Sequence, residues 1–139
     1  IEVVLAYNDR VYIGHIGDSR IYRIRKNIIR KLTVDDSYVQ KLVKDGTITK
    51  EEAKHHPKKN MLMKALGCTS FVEPIVAVKG FLEDDVIVIT SDGLTNMVSD
   101  EEMLAIIENN VEKASDELIK KANEAGGLDN ITVVIVSKR

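Results

Sequence analysis

One cysteine, Cys68, is all the thiol this 139-residue chain contains. An internal disulfide is excluded, and a reducing compartment, the cytoplasm, is the expected home. Long apolar runs are also missing. None approaches the ~20 residues needed to span a bilayer, so no membrane segment is expected. No signal peptide is visible. Neither sign of charge dominates: 20 Lys and Arg against 22 Asp and Glu leave a net charge of -2, with the signs well mixed. That balance gives no electrostatic footprint for nucleic acid or an anionic membrane. Internal repeats and low-complexity stretches are absent. The chain opens at Ile1 directly into a strand-like segment and reads as a piece of a longer protein.

What is present suits one domain or a large part of one. Hydrophobic residues make up 44%, enough for a substantial core. Residues 1–7 and 11–16 are β-branched and aromatic around Asn8-Asp9-Arg10, a strand-turn-strand pattern. Ser19 to Arg25 alternates with one charged face, Asn27 marks a turn, and Ile28 to Leu32 is a short partner strand. The middle is more polar. Asp36-Ser37 can cap a helix to about Lys44, with Gly46 past its end. Thr49 and Glu52 spell a capping box, Pro57 stops that helix, and residues 58–66 are expected to form another, ended by Gly67. Strands return at Pro74 to Val78 and Val86 to Thr90. Ser99 and Glu102 form a second capping box for a helix to about Asn109, with Met103, Ile106 and Ile107 inward. Ala114 to Ala125 is a further amphipathic helix with Leu118, Ile119 and Ala122 on one face, and residues 131–137 are the last strand. Strands first and helices later favour an α+β layering.

Two acidic motifs adjoin apolar strands. Thr90-Ser91-Asp92-Gly93 closes the run 85–89, and Gly126-Gly127-Leu128-Asp129-Asn130 opens the run 131–136. Asp18, in Gly17-Asp18-Ser19-Arg20, lies between two strands. Each acid alone is explained by ordinary turn chemistry. The set of three glycine-flanked carboxylates at strand ends is not, and it points to an oxygen-ligand site for a hard divalent cation, Mg or Mn. His15, among apolar neighbours, reads as a packed or hydrogen-bonded core histidine. His55 and His56 read as surface, Cys68 as structural, and Lys58-Lys59 as a solvated patch.

An ordered series of motifs carries a resemblance. It runs through Gly17-Asp18-Ser19-Arg20 with Tyr22, Leu32-Thr33-x-Asp35-Asp36-Ser37, and Gly46-x-Ile48-Thr49-x-Glu51-Glu52-Ala53. It continues through His56-Pro57 with Asn60, Ala65-Leu66-Gly67, Ser91-Asp92-Gly93-Leu94 and Asp129-Asn130-Ile131-Thr132-Val133. From about residue 4 onward the chain resembles the metal-dependent protein phosphatase 2C (PPM) family, in its bacterial serine/threonine type and in its C-terminal portion only. The resemblance implies an antiparallel β-sandwich flanked by helices on both faces (four-layer αββα), incomplete here because the N-terminal part is missing. Residues 1–139 would be the C-terminal part of one catalytic domain, and 36–66 a flap-like subdomain.

It further implies hydrolysis of phosphoserine and phosphothreonine by a metal-bridging hydroxide at a binuclear Mn2+ or Mg2+ centre, with two ions or three in the complete domain. Asp92 and Asp129 would be ligands of that centre, and Asp18 with Asp92 would serve the additional metal site. The implied partners are phosphoprotein substrates of a serine/threonine kinase. The family's first metal Asp, its bridging Asp-Gly motif and its phosphate-binding Arg are not found in this chain. Asp45-Gly46 reads as a helix end, and Arg20 belongs to a different motif. The piece by itself is therefore expected to be inactive. The competing readings are a catalytically inactive regulatory or phosphoprotein-binding domain of the same fold, and an unrelated α+β domain whose acids are turn residues.

Overall fold

The computed structural model describes residues 1–138. Sheet A contains β1 (Glu2–Tyr7), β2 (Arg10–His15) and β5 (Ile75–Gly80), in the order β1-β2-β5. Sheet B contains β3 (Arg20–Arg25), β4 (Ile28–Lys31), β6 (Val86–Thr90) and β7 (Val133–Ser137), in the order β4-β3-β6-β7. Every pairing is antiparallel. Alternation along the strands assigns the faces. Val11 and Ile13 of sheet A meet Ile21 and Ile87 of sheet B, with Phe81, in the inter-sheet core. The opposite face of sheet B carries Tyr22, Ile24 and Val88. Against these pack α4 (Asp100–Asn109) through Met103 and Ile107, and α5 (Ala114–Glu124) through Ala114, Leu118 and Ala122. Ile106 and Ile119, expected inward, are half-buried at the margins.

Sheet, sheet and helices make three of the four αββα layers. The outer face of sheet A leaves Val3, Leu5, Tyr7, Val76 and Val78 exposed.

The helix ends follow the capping chemistry of the sequence. Ser37 accepts from the Gln40 amide ahead of α1 (Tyr38–Lys44), and Asp45 and Gly46 close it, Gly46 with φ 71°. Both capping boxes form, at Thr49 before α2 (Lys50–His55) and at Ser99 before α4. One expectation fails. Residues 58–66 are not a helix, because their backbone pairs elsewhere. The Tyr38 amide donates to the Met61 carbonyl at 2.8 Å and the Met63 amide to the Asp36 carbonyl at 2.7 Å, around a Ser37–Leu62 bridge. Cys68, read as structural, is exposed. One element was not anticipated, the single helical turn α3 (Asp92–Thr95) that follows β6 directly.

The far end of the sandwich is tied by Asp85, which is fully buried. It accepts from Arg25 Nε at 2.6 Å, from Arg25 Nη2 at 2.5 Å and from the Leu82 amide at 2.7 Å. Burial works against its ionisation, but the Arg25 and Leu82 hydrogen bonds overcome that and hold its carboxyl below the usual range. A depressed folded-state pKa adds stability that is complete above the unfolded value of about 4 and is lost as pH falls through the folded value. Asp85→Asn is expected to cost ~1–2 kcal/mol at pH 7, discounted for the solvent that reaches Arg25, and clearly less at pH 3. Denaturant melts of both proteins across that range check it.

Candidate metal centre

Register brings the three acids to one end of sheet B. Arg20, Thr90 and Val133 are direct neighbours across β3, β6 and β7. Asp18 lies just before the first, Asp92 just after the second, and Asp129 in the loop leading to the third.

Local sterics draw two of these loops together. Gly93 is buried at the start of α3, and a Cβ placed there would meet the Asn130 carbonyl oxygen at 2.3 Å. Ser91 fastens the same approach. Its Oγ donates to the Asn130 carbonyl and accepts from the Thr132 amide, both at 3.0 Å, while its own amide donates to the Thr132 carbonyl at 3.2 Å. Thr90 Oγ1 adds a bond to the Thr132 carbonyl at 3.0 Å. Asp92 is thereby set at the first turn of α3, where Asn96 Nδ2 lies 3.5 Å from its Oδ2. Asp129 is exposed, with its Oδ1 accepting from the Asn130 amide at 2.7 Å.

Asp18 is held from another direction. Gly17 adopts φ 106°, a conformation that glycine takes without steric cost. Its amide donates to Asp36 Oδ2 at 3.2 Å and its carbonyl accepts from the Asp36 amide at 2.7 Å. Under this turn His15 is buried, with Nδ1 at 2.5 Å from Glu2 Oε1 and Nε2 at 2.8 Å from the Val34 carbonyl. A carbonyl only accepts, so Nε2 carries a proton. Glu2 Oε2 is buried without a partner among the described residues. Burial pushes the Glu2 carboxyl up, despite its hydrogen bond with His15.

Asp18 and Asp92 share a cleft of about 740 Å3, whose other walls include Asp35, Thr95 and Asn96 and, from the excursion 36–66, Gln40, Lys50 and Asn60. Burial, and next the charge of Asp92, push the Asp18 carboxyl above its ordinary value. A carboxylate whose charge is opposed by burial and by a neighbouring carboxylate suits a cation beside it. Asp129 reaches the site through its backbone neighbour at Gly93 and does not line the cleft. Among the described residues no three His, Cys, Asp or Glu side chains cluster closely enough to hold an ion. The donor chemistry therefore fits Mg2+ or Mn2+ as part of a ligand set.

Arg20 is committed elsewhere. It forms a fork on Asp35, with Nη2 at 2.8 Å and Nε at 3.2 Å, and Lys31 joins at 3.1 Å. Burial opposes the Asp35 charge, and Arg20 overcomes it, so this carboxyl stays below its usual range. The motif residues Thr33, Asp35, Asp36 and Ser37 thus act as supports. Thr33 accepts from the Ile21 amide, Asp35 binds Arg20, Asp36 pins Gly17, and Ser37 caps α1. Asn96 was not anticipated from sequence. Its signal was its place four residues after Asp92, one helical turn on.

By fold, the chain is part of an αββα phosphatase domain. It matches the serine/threonine phosphatase of S. agalactiae with a TM-score of 0.95 at 41% identity, covering 99% of this chain and 58% of that one. It also matches the catalytic domain of the serine/threonine protein phosphatase PstP, in complex with two manganese ions, with a TM-score of 0.86 at 37% identity, covering 96% and 56%. In sequence it is 44% identical to the serine/threonine phosphatase stp of Listeria welshimeri, over 93% of this chain and 52% of that protein. The pattern of the family Protein phosphatase 2C matches residues 71–131. The chain belongs to the protein phosphatase 2C family and spans about half the length of the curated relatives it matches.

Gly93→Ala is expected to destabilise the protein by ~2–3 kcal/mol, since backbone rather than a side-chain tip stands in the way. Ser91→Ala, which loses one donor and one acceptor contact, is expected to cost ~1–2 kcal/mol. Chemical denaturation of the two variants measures both.

Proposed function

We propose that this chain supplies the C-terminal portion of a serine/threonine protein phosphatase, with Asp18, Asp92 and Asp129 as carboxylate ligands of its metal centre. The observation that supports it most is the levelling of these acids at one end of sheet B, two of them in a single cleft. Bound Mn2+ or Mg2+ would lower the pKa of water and neutralise phosphate charge. The chain's own residues do the rest. Asn96 orients the Asp92 carboxylate, and Asp36 and Gly17 hold the Asp18 turn in place. The excursion 36–66 forms a flap wall that narrows access to the cleft. Arg20, bound to Asp35, is not available for the substrate phosphate.

Phosphoproteins modified by a serine/threonine kinase are the substrate class of this reading, and the cytoplasm its setting. The sparse ligand set of the described residues supports a further expectation, that residues 1–139 alone have little or no activity.

The test is hydrolysis of a phosphothreonine peptide. The full-length protein is expected to be active with Mn2+ and inactive after chelation. Asp92→Asn and Asp129→Asn should each lower kcat by at least about 100-fold, with folding intact by circular dichroism. Asp18→Asn should act chiefly by raising the Mn2+ concentration required. Full activity in the Asp92 variant would sink the assignment. Robust hydrolysis by residues 1–139 alone would sink the expectation for the piece.

A further inference from the structure

The hairpin of β3 and β4 carries an arrangement of charge that the metal centre does not use. Arg23 stands directly opposite Arg30, and like charges in that relation destabilise a sheet. Arg25 follows two residues on, on the same face, opposite Ile28. Lys26 and Asn27 form the turn with φ of 50° and 58°, left-handed values held without glycine. Arg23, Arg25, Lys26, Ile28 and Arg30 line a concave pocket of about 220 Å3. β3 runs from Arg20 at the metal cleft to Arg25 at this pocket, which sets the two about 17 Å apart at the usual rise per residue.

One of these cations is matched. Arg25 grips Asp85 with two nitrogens and donates to the Gly80 carbonyl at 3.2 Å. Arg23 donates to the same carbonyl at 3.1 Å. Arg23, Lys26 and Arg30 form no ion pair among the described residues.

We propose that this pocket docks an acidic segment of a partner protein, with Asp or Glu side chains seated on Arg23 and Arg30 as Asp85 is seated on Arg25. Three observations favour an acidic peptide over other anions. Planar guanidinium forks match carboxylates two bonds at a time, and the hairpin already holds one carboxylate in that way. β4 ends its sheet and pairs only with β3 among the described residues, so its outer edge offers backbone groups to an extended segment. The lining has no aromatic ring on which a base could stack, and Ile28 alone is too little apolar surface for a bilayer.

The test uses the full-length protein and a fluorescent octaglutamate peptide, read by anisotropy at low and moderate salt. Octaglutamate is expected to bind, more weakly as salt rises, and octaglutamine not to bind. The double variant Arg23→Gln/Arg30→Gln should weaken binding at least about tenfold, and Lys120→Gln, on α5, should not. Should the double variant misfold, Arg30→Gln alone, on the exposed edge strand, should weaken it about threefold or more. Unchanged binding in the folded variants overturns the proposal. So does displacement by an equal concentration of inorganic phosphate, which would make it an ion site. Binding to phosphatidylserine vesicles that is lost in the double variant, without octaglutamate binding, overturns it as well. Mn2+-dependent hydrolysis of p-nitrophenyl phosphate should be unchanged in the double variant. The peptide titration stands whether or not the protein hydrolyses phosphate, so the failure of one reading is distinguishable from failure of the other.

Discussion

The site depends on one steric allowance, the missing Cβ at position 93. β6 delivers Asp92 to the rim of the sandwich, but the segment of Asp129 adjoins it only if the loop before β7 comes close. That loop approaches to where a methyl group at residue 93 would lie inside the Asn130 carbonyl. The hydroxyl of Ser91 then locks the contact from both sides. Sheet register supplies the gross alignment, and the glycine supplies the last few ångströms.

Much of this was legible in the sequence. Period-2 alternation located the strands, and the capping boxes at Thr49 and Ser99 located two helix starts, because each signal is local and its partner lies within a turn of helix. The three acids stood out in the sequence because each lies close to glycine at the end of a strand. What stayed hidden was set by distant partners. Residues 58–66 have helical composition, yet the Met61 carbonyl and the Met63 amide are taken by Tyr38 and Asp36. Asp85 carried no signal of its own in the sequence, because its role comes from Arg25, 60 positions away. The place of Asp129, adjoining the cleft through backbone rather than side chain, also depends on a contact between segments 37 residues apart in sequence, at Gly93 and Asn130.

β3 acts as a charged strut through the sandwich. Arg20 at one end binds Asp35, and Arg25 at the other binds Asp85. Between them Ile21, Tyr22 and Ile24 face the two cores, and burial pushes the Tyr22 hydroxyl up to about 12, so it stays neutral. A strand anchored at both ends by guanidinium forks is hard to slide by one residue, since a slip would turn both arginines to the wrong face. The levelling of Asp18 with Asp92 rests on that fixed register.

The bridge between Ser37 and Leu62 gives the excursion a closed neck. The chain leaves and re-enters the sandwich at nearly the same point, so what lies beyond the neck adds little constraint to what lies below. An insertion, a deletion or a wholesale change of surface there would leave the register of β3 and the Gly93 contact untouched. What such a change would alter is the wall of the cleft that Gln40, Lys50 and Asn60 supply, so the shape of the cleft mouth and the framework that levels the acids are separately adjustable.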